Sequence, residues 1–332
     1  MSTSSDQYRA ADEGVAWIDR SSRVRLDVAG PDRAKFLQNL TTNDVKRLPV
    51  GSGCEAFVTS PQGKTLAFVS IHARPDSILL RTDHDGLALG LPHLQKYGIF
   101  DEVGIEDVSA GSTEYHVVGP GAAEWLQSEG ATLPDGKDLS SIATQVHGLE
   151  ILCVRESPTG RPGFTLISFG DVAAVGEGLR GAGLVELDSE EFEALRIEAG
   201  TPVFGREITE KTLPQEIGRD DRAISFVKGC YLGQETVARL DALGHVNKIL
   251  KGLRFRAGDP VPPAGAILEA EGKAVGSVSS AAFSPGWDAA VGLGIVRVSH
   301  ASPGAELSWK RLEDGATFSA TVSDWPMLPR RS

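Results

Sequence analysis

Residues 228–235 read Lys-Gly-Cys-Tyr-Leu-Gly-Gln-Glu and hold one of only three cysteines, Cys230. A thiol attacks, or binds a metal, as its thiolate, and a nearby cation or a helix N-terminus favours that form. Lys228 supplies the cation, and the helical pattern of 234–243, with Val237 and Leu240 apolar, supplies the helix start. Glu235 opposes both. Gly229 and Gly233 permit close approach and unusual dihedrals around Cys230, Tyr231 and Gln234. A small buried residue in a tight turn is the competing reading, because free cysteine is among the most buried residue types. No neighbouring His or Asn offers a general base, so acyl transfer by this cysteine has no support in the sequence.

A second candidate is the segment 192–200, Phe-Glu-Ala-Leu-Arg-Ile-Glu-Ala-Gly. On a helix, Phe192, Leu195 and Ala199 share a face and Glu198 lies beside it, near the end where the macrodipole disfavours an anion. Two readings stay open. One is a salt bridge from Glu198 to Arg196 or Arg206; the other is a carboxylate aimed into a pocket, accepting two parallel N–H donors of a planar heterocycle. Asp83, His84 and Asp85 sit together after a strand, where such residues serve either acid–base chemistry or helix capping. Gly63-Lys64-Thr65 imitates the end of a phosphate loop, but Val58 stands where that loop needs its first glycine, so a hairpin turn is expected. The seven histidines show no metal spacing, and most are expected at the surface or hydrogen-bonded.

The elements that must position these groups follow from periodicity. Val24, Leu26 and Val28 alternate with charges as in a half-buried strand. Gly30-Pro31-Asp32 then opens a helix carrying Phe36, Leu37 and Leu40. Runs at 54–60 and 65–73 form a hairpin, followed by a strand at 77–82 and a helix near 86–97. Strands near 103–108 and 114–118 lead through Gly119-Pro120-Gly121 into a short helix, and His147-Gly148 separates two further strands. Residues 171–181 look helical, 184–187 form a short strand, and Ser189 can cap a helix that Gly200 ends. No repeated βα unit appears and no GxGxxG follows a strand, so an α+β architecture is expected. From Lys248 short apolar runs recur at 249–255, 266–270, 274–283, 289–298, 305–310 and 316–323, which predicts a small C-terminal β-barrel. The expected domains are 1–245, divisible into two subdomains, and 246–332.

Composition narrows the function classes. A net charge of −12 argues against direct nucleic-acid binding and against an anionic membrane surface. Residues 219–256 run the other way, with eight Lys/Arg against four Asp/Glu; this is either ordinary fluctuation or a landing place for an anionic ligand. Cys54, Cys153 and Cys230 are odd in number and widely spaced, so neither a metal site nor a local iron–sulfur motif is visible and a reducing compartment is expected. The polar first ten residues and the lack of a membrane-length apolar run give the expectation of a cytoplasmic protein.

The runs Leu195-Arg-Ile-Glu-Ala-Gly200, Thr212-Leu-Pro-Gln-Glu216, Ala223-Ile-Ser-Phe226, Lys228 to Glu235 and Val237-Ala-Arg239 together resemble the YgfZ family, folate-binding proteins of iron–sulfur cluster maintenance. Phe36-Leu-Gln, Thr42-Asn-Asp-Val45 and Ile105-Glu-Asp-Val108 before Gly119-Pro120 are similar to the wider glycine-cleavage T-protein superfamily. The resemblance implies a tetrahydrofolate pocket in an aminomethyltransferase-like α+β region, followed by a β-barrel. It implies that Glu198 faces the pterin and that Phe192 gives an aromatic folate contact. A second aromatic position falls on Arg23, a departure. Implied partners are iron–sulfur client proteins or assembly factors, tRNA-modifying enzymes among the clients, with Cys230 acting on a cluster, persulfide or damaged thiol. The T-protein superfamily's Asn-rich stretch ending in a functional Asp is broken here: without a gap Leu89 falls at the Asp position, and a gapped alignment would recruit Asp83 or Asp85. Glycine cleavage is therefore disfavoured, and a folate-dependent one-carbon transferase stands as the alternative.

Overall fold

The computed structural model describes residues 4–170, 173–244 and 246–329. The chain runs through α1 (Ser4–Glu13), β1 (Ala16–Asp19), β2 (Val24–Ala29), α2 (Arg33–Leu40), β3 (Gly53–Thr59), β4 (Thr65–Ala73), β5 (Ser77–Thr82), α3 (His84–Tyr97) and β6 (Gly104–Asp107). It continues with β7 (Ser112–Val118), α4 (Ala122–Ser128), β8 (Ser141–Val146), β9 (Leu149–Arg155), β10 (Gly163–Phe169), α5 (Ala174–Gly181), β11 (Val185–Glu186), α6 (Ser189–Ala199), α7 (Asp220–Ala223) and α8 (Gln234–Leu243). The last strands are β12 (Lys248–Phe255), β13 (Ile267–Ala270), β14 (Lys273–Ser284), β15 (Ala289–Arg297), β16 (Glu306–Lys310) and β17 (Thr317–Ser323).

Three sheets result: a five-stranded sheet ordered β3-β4-β5-β2-β6, a six-stranded sheet ordered β11-β1-β7-β10-β9-β8, and a closed barrel ordered β12-β15-β14-β13-β16-β17. Strand alternation decides how they stack. In the five-stranded sheet Leu26, Leu80 and Ile71 point to α2 and α3 and join Phe36, Leu37 and Leu94 in one core. In the six-stranded sheet Tyr115, Val117, Phe164 and Leu166 point to α4 and α5. The opposite faces of the two sheets meet, and they are largely polar. Arg25 and Arg81, registered on β2 and β5, confront Glu114 and His116 on β7 together with Glu156 just past β9. A small apolar patch of Leu79, Val154 and Ile167 shares that interface. The architecture is α+β with a C-terminal barrel.

Several local outcomes differ from the sequence reading. Asp188, not Ser189, caps α6, accepting from the Glu191 N–H at 2.8 Å. The helix expected at 86–97 begins at His84, and Pro92 is accommodated inside it. Helix α1 and strands β1 and β10 were not anticipated; β10 (Gly163–Phe169) is buried on both faces, with Thr165 and Ser168 breaking its apolar residues, so it lacks the clean alternation that marks a strand. Asp171 and Val172, at the start of the expected 171–181 helix, and His245, at the expected domain boundary, lie outside the described residues. His72 and His116 are fully buried and lie within hydrogen-bond distance of Arg81 and Thr165, in line with the expectation that most histidines are at the surface or hydrogen-bonded. No helix among the described residues is long and apolar enough to cross a membrane.

Candidate functional site

A cavity of about 490 Å³ opens where the two sheets, α6, α7 and the C-terminal segment converge. That volume is in the range of small-molecule sites. Phe68, Phe192, Pro158, Pro202, Val203 and Trp325 give it flat apolar walls, and Arg20, Arg23, Arg219 and Arg222 give it cations. Its floor is the polar layer between the sheets. Arg81 sits there between Glu114 and Glu156, at 2.8 and 2.7 Å. Burial works to raise both carboxyls, but Arg81 outweighs it; Glu114 is held at about 2 and Glu156 well below the usual range. Both acids are therefore anionic and paired.

The segment 196–200 is a joint between elements. Arg196 is buried and binds Glu193, Glu207 and Ser280. Glu198 is fully buried and does not line the cavity. Its carboxylate accepts from Arg161 Nη1 at 2.8 Å, Tyr8 Oη at 3.1 Å and Ser284 Oγ at 2.5 Å. Of the two open readings the structure gives an ion pair, made with Arg161 and with neither Arg196 nor Arg206. Burial pushes the Glu198 carboxyl up, against Arg161 and these hydrogen bonds. Gly200 closes α6 in the left-handed region at φ 74°, and a Cβ there would come within 2.3 Å of the Trp325 ring. So the motif stitches α1, α6 and the barrel together and sets the Trp325 wall. Phe192, by contrast, does line the cavity, with the Arg20 guanidinium 4.8 Å over its ring. Asp83 also lines it. Asp83 stands at the N-cap of α3 without capping it and lies 3.6 Å from Arg23. Arg219 and Arg222, from the basic window, are at the wall but neutralised by Glu55 and Asp138. Asp85 does not line the cavity.

The octapeptide lies elsewhere. Lys228 is buried and its Nζ donates to the carbonyls of Gln38, Thr41 and Asn43 at 2.6, 2.6 and 2.7 Å, a cation closing the C-terminal end of α2. Burial pulls it to about 8, so the ammonium still dominates at neutral pH. Tyr231 is buried with Lys228 Nζ 4.9 Å over its ring, and its N–H donates to Gln234 Oε1 at 3.3 Å. Gly233 is left-handed at φ 85°, and a Cβ there would meet the Ser60 carbonyl at 2.4 Å. Gly229 meets nothing within 4 Å. Glu235 lies in the first turn of α8, where an anion is favoured. With both flanks clamped, Cys230 is exposed, whereas Cys153 is buried and Cys54 half-buried, and burial pushes both of those thiols up to about 12. Cys230 borders a separate cleft of about 500 Å³ with Lys35, Lys46 and Arg47, and none of the residues lining that cleft lines the cavity at Phe192. Asn43 stands between the two places: its carbonyl accepts from Lys228, and its Nδ2 donates to the carbonyls of Glu55 and Arg222 in the cavity wall. Arg20, Arg161 and Trp325 were missed by sequence reasoning, since none sits in a motif, whereas Asp83, singled out as an acid–base or capping candidate, lies at the cavity. Among the described residues no cluster of His, Cys, Asp and Glu could hold a metal.

Two apposed sheets followed by a closed barrel define an aminomethyltransferase-like fold. The chain belongs to the glycine-cleavage T-protein family: residues 1–228 match the GCVT N-terminal domain and 248–328 the glycine cleavage T-protein C-terminal barrel domain. It is 30% identical over 333 residues to a putative chloroplastic transferase of Arabidopsis thaliana, covering 97% of this chain and 73% of that protein. It is 28% identical over 312 residues to an aminomethyltransferase of Streptomyces avermitilis, covering 90% and 82%. The glycine cleavage system aminomethyltransferase T of Bartonella henselae superposes with a TM-score of 0.88 at 20% identity, covering 98% of this chain and 90% of that one.

Proposed function

We propose that the cavity holds tetrahydrofolate and that the protein is a folate-dependent accessory factor of the YgfZ type, serving iron–sulfur cluster assembly or repair in client proteins, tRNA-modifying enzymes among them. The carrying observation is the placement of Cys230: the exposed thiol is displayed on a doubly anchored loop outside the cavity, where a partner protein reaches it and a cavity-bound ligand does not. The cavity fits the cofactor on its own terms. It offers flat walls at Phe192, Phe68 and Trp325 for planar rings and, at Arg20, a cation without an acidic partner among the described residues for an anionic tail. Tetrahydrofolate supplies the one-carbon-accepting or reducing chemistry when bound; the chain's residues orient it and exclude water. Glu198 contributes indirectly, by holding α6 and hence Phe192 in place. Three unpaired cysteines suit a reducing, cytoplasmic setting.

Tetrahydrofolate should change the fluorescence of Trp325, and Phe192→Ala should weaken its binding about tenfold. In cells lacking the native protein, Cys230→Ala should lower the activity of an iron–sulfur tRNA-modifying enzyme without changing tetrahydrofolate affinity. Full client activity with Cys230→Ala refutes the cysteine's role. A second reading, a folate-dependent one-carbon transferase, is favoured by one observation: Asp83 lines the cavity, with its carboxylate 3.6 Å from Arg23, and does not cap its helix. Conversion of tetrahydrofolate to a methylene form with an amine donor, lost in Asp83→Asn, would decide for it.

A further inference from the structure

We infer that Arg20 reads the charge of the cavity's ligand, and that the ligand presents a carboxylate to its guanidinium. This rests on the cavity being the ligand site and names which residue selects the anion. The argument starts from a charge count on the cavity floor. Arg20, Arg23, Arg25 and Arg81, four guanidinium groups, face three carboxylates, Asp83, Glu114 and Glu156. The three carboxylates lie within 4.0 Å of Arg23, Arg25 and Arg81. Among the described residues, Arg20 has no acidic side chain within ion-pair distance and no hydrogen-bond acceptor for its guanidinium. The side chain is half-buried at the cavity wall, so the unpaired guanidinium keeps only part of its hydration. Burial, then repulsion from Arg23, lowers Arg20 to about 10, against the attraction of the more distant Glu114 and Glu156.

What holds the cation there is Phe192. The ring packs against the buried core of Tyr8, Ile18 and Leu195 and carries the guanidinium 4.8 Å from its centroid. Cation–π contact offsets part of the desolvation without using the guanidinium's planar donor edge. That edge stays available, and a carboxylate is the group whose geometry fits it in a bidentate pair. The arginines of the basic window do not compete, because Glu55 and Asp138 already hold Arg219 and Arg222. The position once assigned to an aromatic, Arg23, is also occupied, by Glu114 at 3.2 Å.

The test is calorimetric titration of the full chain and of Arg20→Gln and Arg20→Lys with three probes: tetrahydrofolate, tetrahydropterin lacking the aminobenzoylglutamate tail, and 4-aminobenzoylglutamate. Expected are a loss of tetrahydrofolate and aminobenzoylglutamate affinity of about 10- to 100-fold in Arg20→Gln, partial rescue in Arg20→Lys, and tetrahydropterin affinity within about threefold of wild type. Equal losses for all three probes would make Arg20 a structural residue and overturn the inference. So would unchanged affinity for both carboxylate probes. If wild type binds the aminobenzoylglutamate in an Arg20-dependent way but not tetrahydrofolate, the folate reading fails and the carboxylate site stands. If wild type binds neither carboxylate probe, the site is not a carboxylate site and the inference falls.

Discussion

Lowering the pH should loosen the interface between the two sheets well before the carboxylates titrate. His72 and His116 are fully buried in the polar layer. His72 Nε2 lies 3.3 Å from Arg81 Nη1, and His116 Nδ1 lies 3.0 Å from Thr165 Oγ1. Burial, reinforced by Arg81, lowers His72 to about 3, and burial lowers His116 to about 4. Both are therefore neutral in the fold while the unfolded chain titrates them near 6.5. Above that pH neither state is charged and the histidines cost nothing. Below it the unfolded state takes up protons that the folded state refuses, and stability falls by about 1.4 kcal/mol per pH unit for each histidine. Between pH 6.5 and 5 that is about 2 kcal/mol each and about 4 together, a large share of a typical 5–15 kcal/mol. Glu198 works the other way, because burial raises it and the fold then gains a proton in acid, but only near the carboxylate range. Glu114 and Glu156 are depressed, so their contribution is lost only as pH falls below about 4.5. Urea unfolding at pH 7.5, 6.5, 5.8 and 5.0, with wild type and His72→Gln/His116→Gln, reads the slope. A wild-type loss under about 1 kcal/mol across that range, or an equal slope in the double variant, would refute the reasoning.

Three other outcomes are expected. Lys228→Met strips the ammonium from three backbone carbonyls and should cost about 3 kcal/mol, with amide exchange of residues 229–233 accelerating more than that of the barrel strands. Gly200→Ala places a Cβ against the Trp325 ring at a left-handed φ; it should cost at least ~2 kcal/mol and shift Trp325 emission, whereas Gly148→Ala, with open space around it, should cost only the backbone part. A thiol reagent should modify one cysteine per native chain and none in Cys230→Ser, with Cys54 and Cys153 reacting only on unfolding; native-state labelling of Cys54 or Cys153 at a comparable rate would contradict their burial.

The fold was legible where local pattern and turn chemistry agreed. The hairpin around Gly63, the stop of α6 at Gly200 and all six barrel strands follow from alternation and from glycines that take positive φ. β10 was not legible because a strand buried on both faces has no period. Helix α1 was not, because its pattern is weak and its stability comes from packing Tyr8 and Ala11 against Leu187 and Leu195, far along the chain. The same contrast runs through the barrel boundary: Gly244 ends α8 by its own left-handed geometry, and that stop is written in one residue.

The site divides differently. Backbone demands are local, so Gly233 could be read from sequence, and a Cβ there would meet the Ser60 carbonyl, whereas Gly229 shows neither a positive φ nor a close approach. Charge demands are not local. Glu198 looked equally like a ligand carboxylate or an ion-pair partner because its actual neighbours, Tyr8, Arg161 and Ser284, lie on three other segments. Lys228 looked like a cation for Cys230 and instead neutralises the end of α2. Arg20 carried no motif at all; it becomes distinctive only when every carboxylate around it is found to be engaged by other arginines. An ionisable residue in a motif is therefore weak evidence for ligand contact in this chain. A charge left over at a cavity wall after its neighbours are paired is stronger evidence, because no contact within the protein accounts for it.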